Sequence, residues 1–206
     1  MSPHPGSHTL PIELRRTISR EEINQLTVRR YEGDVHLVAS DADLAHAMSD
    51  IRAERVLGFD TETRPAFRKG EHHLPSLVQA ATARAVYVFP LQQMDCSAAI
   101  AEFLGARHIV KIGVSVAHDL RELKLVFPFE EASMLDAGAT VQRHGLGQTG
   151  LRNLAALFLG FRIAKGNRTS NWAARSLSPA QLTYAATDAW VCRELFLRFR
   201  ELGLLH

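Results

Sequence analysis

Phe59-Asp60-Thr61-Glu62-Thr63 follows the apolar run Val56-Leu57-Gly58, and this junction constrains the chain more than any other stretch. Such a run closed by acids reads as a buried strand with an exposed end. Alternate side chains on a strand share a face, so Asp60 and Glu62 point the same way. Two neighbouring anions repel, and a fold accommodates them best with something positive between them. An oxygen-liganded divalent cation such as Mg2+ has the right chemistry.

The surrounding pattern predicts an α/β chain. Ser19-Arg20-Glu21-Glu22 has the form of a capping box and opens a short helix near residue 20. Strands are expected over 35–39, 56–61, 76–82, 85–89, 108–114 and 133–136. Helices are expected over 41–52, 97–104, 115–126, 137–141 and 151–159. The link between 76–82 and 85–89 is short enough to require an antiparallel hairpin. Ser178-Pro179-Ala180-Gln181 supplies a capping serine, a first-turn proline and a reciprocal glutamine, so a last helix runs to about Arg200. A hairpin followed by strands alternating with helices makes a mixed sheet with helices on its faces.

Composition sets the bounds. With 206 residues, 46% hydrophobic and 22% charged, the chain fits one ordinary globular domain. Residues 1–32 read as a leader and short helix packing on the core, and residues 33–206 as a single domain. No apolar run approaches the ~20 residues of a membrane span, so no membrane partner is expected. A net charge of +2 permits a nucleic-acid partner without demanding one. Cys96 and Cys192 lack metal-type spacing and read as reduced core thiols of a cytoplasmic protein, with a disulfide as the alternative.

Two further places carry chemistry. His118-Asp119-Leu120 falls just past strand 108–114, at the ligand-facing end of an α/β strand. On the last helix Tyr184 and Asp188 are four apart and share a face, among Leu182, Ala185, Ala186 and Ala189. A carboxylate on the inner part of a helix needs a partner, because burying it unpaired is costly.

Phe59-Asp60-Thr61-Glu62, Val114-Ser115-Val116-Ala117-His118-Asp119 and Tyr184-Ala185-Ala186-Thr187-Asp188-Ala189 resemble, in order, the three motifs of the DEDDy 3′–5′ exonucleases. That family includes ribonuclease D, proofreading domains and Werner-syndrome-type exonucleases. The likeness runs from about Val35 to Leu204. Arg64-Pro65-Ala66-Phe67-Arg68-Lys69-Gly70 and Ser170-Asn171-Trp172 are similar to the Werner-type branch. Ser115 stands where the proofreading branch commonly has asparagine, a difference read here as one of substrate handling.

The resemblance implies a ribonuclease H-like mixed sheet of five or six strands and hydrolysis of phosphodiesters from a single-stranded 3′ end. It implies two divalent cations, Mg2+ or Mn2+, with Asp60 bridging both. Glu62 and Asp188 would complete one site, and Asp119 would support the other, partly through water. Tyr184 would orient the attacking water, since a tyrosine with a pKa near ~10 is a poor base at neutral pH. DNA is the expected substrate, releasing nucleoside 5′-monophosphates, with ribonuclease D-like RNA processing as the alternative. No obligate protein partner is expected.

Substrate contacts are expected from Thr61, Phe67, Lys69, Ser115 and Trp172. Arg68 and Lys69 flank Phe67 in the loop 64–73, which suits phosphate pairing and base stacking; solvated loop charge is the alternative. Lys165, Arg168 and Trp172 precede the last helix, where Trp172 reads equally as a core anchor. His118 reads as a packing or supporting residue beside Asp119 rather than a ligand. Two other functions compete. A phosphatase of the haloacid-dehalogenase type resembles Asp-x-Asp-x-Thr, but the second acid here is Glu62 and no later Asp-Asp pair follows a strand. A non-catalytic nucleic-acid-binding module would be marked by a lost motif acid, and all four carboxylates and the tyrosine are present.

Overall fold

In the computed structural model, which describes residues 17–166 and 169–205, the apolar segments fall into six strands. These are β1 (Asp34–Leu37), β2 (Val56–Thr63), β3 (Pro75–Ala81), β4 (Ala85–Pro90), β5 (Val110–Gly113) and β6 (Met134–Asp136). The expected hairpin is β3–β4, antiparallel. Thr82 ties its turn: the hydroxyl oxygen accepts from the backbone N–H groups of Arg84 and Ala85 and donates to Asp50 at 2.9 Å. β2 pairs antiparallel with β3, β1 joins β4 in parallel, and β5 and β6 extend the other edge in parallel. The sheet order is β1-β4-β3-β2-β5-β6.

Helices cover both faces. The described helices are α1 (Arg20–Gln25), α2 (Asp41–Arg52), α3 (Ser97–Gly105), α4 (Val116–Lys124), α5 (Ala137–Arg143), α6 (Leu151–Leu154) and α7 (Pro179–Glu201). On one face Leu57, Phe59, Val78 and Phe89 pack with Met48 and Ile51 of α2, Phe103 of α3 and Leu120 of α4. The other face belongs to α7, whose Ala185, Ala186 and Ala189 lie against Leu77, Ala81, Val86 and Val88. Small residues on α7 allow this close seat. At Gly58 the helix backbone meets the strand so closely that a Cβ would fall 1.9 Å from the Ala189 carbonyl oxygen.

The capping boxes at Ser19 and Ser178 form as the sequence predicts. The helix expected over 151–159 does not run through. It keeps α-helical form only to Leu154, and Ala155–Leu159 winds as a wider π turn closed by Gly160 at φ 72°. This segment is buried from two sides, Phe158 against Phe199 of α7 and Ala156 against Ile18 and Ile23, and that packing overrides the local α pattern. The strand expected over 108–114 ends at Gly113, because Ser115 adopts a left-handed conformation (φ 60°) and turns the chain into α4. Cys96 and Cys192 are buried and unbridged. Among the described residues no helix is long and apolar enough to cross a membrane. The leader, residues 1–16, lies outside the described residues.

Candidate active site

The period of β2 turns Val56, Gly58, Asp60 and Glu62 toward α7. Because Gly58 lets α7 lie directly on the strand, Asp188, one residue before Ala189, comes down beside the two acids. Asp60, Glu62 and Asp188 each bring one carboxylate oxygen within 4.8 Å of the others. Glu62 and Asp188 are each only 8% exposed. Tyr184, one turn before Asp188, donates its hydroxyl to the Asp188 carboxylate. Asp119, in the first turn of α4, stands outside the trio and accepts a hydrogen bond from the Thr61 hydroxyl.

Burial is the main force on every carboxyl here. It pushes Glu62 up to about 9, Asp188 to about 7 and Asp119 to about 6. Asp60 is held well above the usual carboxylate range, first by burial and then by Asp188, Glu62 and Asp119. Among the described residues, the charged groups acting on Asp60 are thus all acids. The hydrogen bonds from Thr61 and Tyr184 offset part of the effect on Asp119 and Asp188. Tyr184 is itself pushed upward, by burial and then by the anions of Asp188 and Glu62.

Oxygen donors without a basic partner suit a hard divalent cation. The wall of the cluster fits this as well. Gln79 is fully buried on β3, and neither of its amide atoms has a hydrogen-bond partner. Leaving such a group unpaired costs about 1–3 kcal/mol.

Against known proteins, the family model described as 3′–5′ exonuclease matches residues 35–203. The chain belongs to the 3′–5′ exonuclease family. The chain is 27% identical over 195 residues to the Exonuclease mut-7 homolog of Aedes aegypti, covering 82% of the chain and 27% of that protein. It is 29% identical over 167 residues to Ribonuclease D of Gluconacetobacter diazotrophicus, covering 79% of the chain and 42% of that protein. The chain therefore spans less than half the length of these curated relatives. Among solved structures, the Aedes aegypti Nibbler EXO domain superposes with a TM-score of 0.74 at 26% identity, covering 85% of this chain and 91% of that one.

The fold gathers the five motif residues at one end of β2, but the expected substrate contacts scatter. Phe67 is 78% exposed, and Lys69 is exposed in the same loop. Ser115 is exposed beside α4. Thr61 spends its hydroxyl on Asp119. Trp172 does not reach outward: it is 1% exposed, enclosed by Leu77, Val88, Leu177 and Ala185, and its ring lies 5.9 Å from that of Tyr184. It is the core anchor, because the chain before α7 folds back onto the sheet. His118 acts on Asp119 from outside, lowering a pKa that burial raises. It is exposed and accepts from Arg121 Nη2 at 2.7 Å, since the turn of α4 that directs Asp119 inward turns His118 out. Lys165 is exposed, and Arg168 lies outside the described residues.

Sequence reasoning missed Asp136. Its Oδ1 accepts from Ala139 N–H at 2.9 Å and its Oδ2 from Val116 N–H at 3.1 Å, so one carboxylate caps α5 and pins the start of α4. An aspartate at the junction of strand 133–136 and a helix is a visible capping signal. Its hold on α4, twenty positions away, is not. Gln79 was missed too, being a lone polar residue in an apolar strand.

Proposed function

We propose that this chain is a two-metal 3′–5′ exonuclease that hydrolyses the terminal phosphodiester of a single-stranded nucleic acid and releases nucleoside 5′-monophosphates. The convergence of Asp60, Glu62 and Asp188 within 4.8 Å carries this reading. These three, backed by Asp119, are the residues that would hold two divalent cations, Mg2+ or Mn2+. Bound there, such ions neutralise charge at the phosphate and lower the pKa of an attacking water.

The protein's own groups do the positioning. Tyr184 keeps its proton across the neutral range, because burial and the adjacent anions raise its pKa. It therefore orients by hydrogen bonding and does not serve as the base. Its donation to Asp188 and the Trp172 ring packed behind it fix the phenol at the edge of the cluster. Thr61 holds the Asp119 carboxyl in the same way. DNA is the first substrate reading, from the Werner-type loop around Phe67. The relative named Ribonuclease D favours RNA as the second.

The test is degradation of matched DNA and RNA oligonucleotides carrying a single-stranded 3′ end, with Mg2+, with Mn2+ and with EDTA. Asp60→Ala should abolish hydrolysis. Tyr184→Phe should reduce it roughly 10–100-fold while leaving metal binding in place, the scale of losing a hydrogen bond that orients a ligating carboxylate. Full activity in Asp60→Ala, or activity that persists in EDTA, sinks the assignment.

A further inference from the structure

We infer that Gln79 is a positioning residue of the metal site, its carboxamide serving the Asp60 carboxylate and the hydration of the ions held there. This rests on the metal-dependent reading above. In the β2–β3 pair Gln79 stands directly opposite Asp60, and Leu77 opposite Glu62. Directly opposed residues share a face, with Cβ atoms ~4.5–5.5 Å apart. Gln79 therefore projects under α7 beside the acids.

Its other neighbours are apolar. β4 sets Val88 opposite Gln79, and Leu77 and Ala81 flank it along β3 on the same face. Above lie Ala185, Ala186 and Ala189 of α7. The sheet positions that offer Gln79 a polar group are Asp60, directly across, and Glu62, on the diagonal. A fully buried amide with both atoms unpartnered is a poor space-filler, and an apolar side chain of the same length would suit the fold better. Its chemistry fits the site instead. Nε2–H can donate to a carboxylate that three acids crowd, and Oε1 can accept from a water bound in that cluster. Outer groups of this kind set ligand orientation and typically change metal affinity 10–100-fold when removed.

The experiment compares wild type with Gln79→Leu and Gln79→Met, by thermal melts in EDTA and across a Mn2+ titration, alongside oligonucleotide turnover. The expected result is an unchanged or raised melting temperature in EDTA, because an unpaired polar group is gone. With it should come a Mn2+ midpoint shifted upward by about 10–100-fold and turnover that recovers toward wild type at saturating Mn2+. A lowered melting temperature in EDTA with an unshifted Mn2+ midpoint in both variants overturns the inference and makes Gln79 a packing residue. Wild-type protein that binds no Mn2+ and cleaves nothing overturns the underlying metal reading as well. Wild type that binds Mn2+ while both variants bind it equally overturns only the role of Gln79.

Discussion

A carboxyl group buried among other carboxyls keeps its proton until a cation replaces it. In an unfolded chain Asp and Glu titrate near ~4. In the fold Asp119 is pushed to about 6, Asp188 to about 7 and Glu62 to about 9, each first by burial. Between the unfolded and folded values the native metal-free protein binds more protons than the unfolded chain, so its stability falls as pH rises. The melting temperature in EDTA should therefore drop progressively as pH rises from about pH 5 through about pH 9, where Glu62 titrates. Glu62→Gln removes one of the groups that titrate in the alkaline range and should make that part of the curve shallower. Mn2+ should raise the melting temperature most at the alkaline end, where its ligands are ionised. Melts at each pH with EDTA and with Mn2+ measure all three effects, and a flat EDTA profile would contradict the buried cluster.

At the scale of elements, the seat of α7 on β2 decides whether the acids meet. Gly58 is its contact point, with the Ala189 carbonyl oxygen 1.9 Å and the Arg193 backbone nitrogen 2.9 Å from where a Cβ would stand. Both neighbours are backbone, so Gly58→Ala must push the helix away. We expect a loss of about 3 kcal/mol, the upper end for overpacking, read by urea unfolding. Turnover measured well below the unfolding transition should fall by ~100-fold, since a shift of about 1 Å at a catalytic group has that effect. The same contact explains what the sequence could and could not reveal. Asp60, Glu62 and Asp188 were legible because strand ends and helix faces follow local periods, and the Ser178–Gln181 box announces where α7 starts. Gly58 reads from sequence only as part of an apolar run. Gln79 and Asp136 gain their meaning from the β2–β3 register and the approach of α4, which join residues that no local period links. The π turn at 155–159 escaped for the same reason, being set by partners on two sides.

Across the whole molecule, a net charge of +2 conceals an arrangement. The carboxylates alone would repel a phosphate chain, and exposed cations stand on both sides of them. On one side the loop 64–73 presents Arg64, Arg68 and Lys69 around Phe67. Glu71 shapes it by accepting from the backbone of Phe67 and Arg68, and the His72–Glu122 contact at 2.6 Å ties it to α4. On the other side a cavity of about 350 Å³ is lined by Arg29 and Arg30 together with Tyr184 and Asp188. The arginine segment is fixed in place: Arg29 N–H donates to the Arg162 carbonyl at 2.9 Å, and Tyr31 N–H donates to Thr187 Oγ1 on α7 at 3.0 Å. The Arg29 guanidinium lies over the Phe161 ring, 5.2 Å from its centre. A nucleic-acid strand bound as proposed, threading between the two flanks, would release counterions from its phosphates and make binding salt-dependent, with a slope of about 0.7 per phosphate neutralised on a single strand. Arg29→Gln combined with Arg30→Gln should therefore lower the slope of log affinity against log salt by about 1.4. The pair Arg68→Gln and Lys69→Gln should lower it by a similar amount, whereas Phe67→Ala should weaken binding by about 1–3 kcal/mol with the slope unchanged, as lost base stacking does. Fluorescence anisotropy of a labelled single strand across a salt series, in EDTA to prevent cleavage, separates these contributions. An unchanged slope in the Arg29 and Arg30 variant would confine the strand to the Phe67 side and leave the cavity beside Tyr184 outside its path.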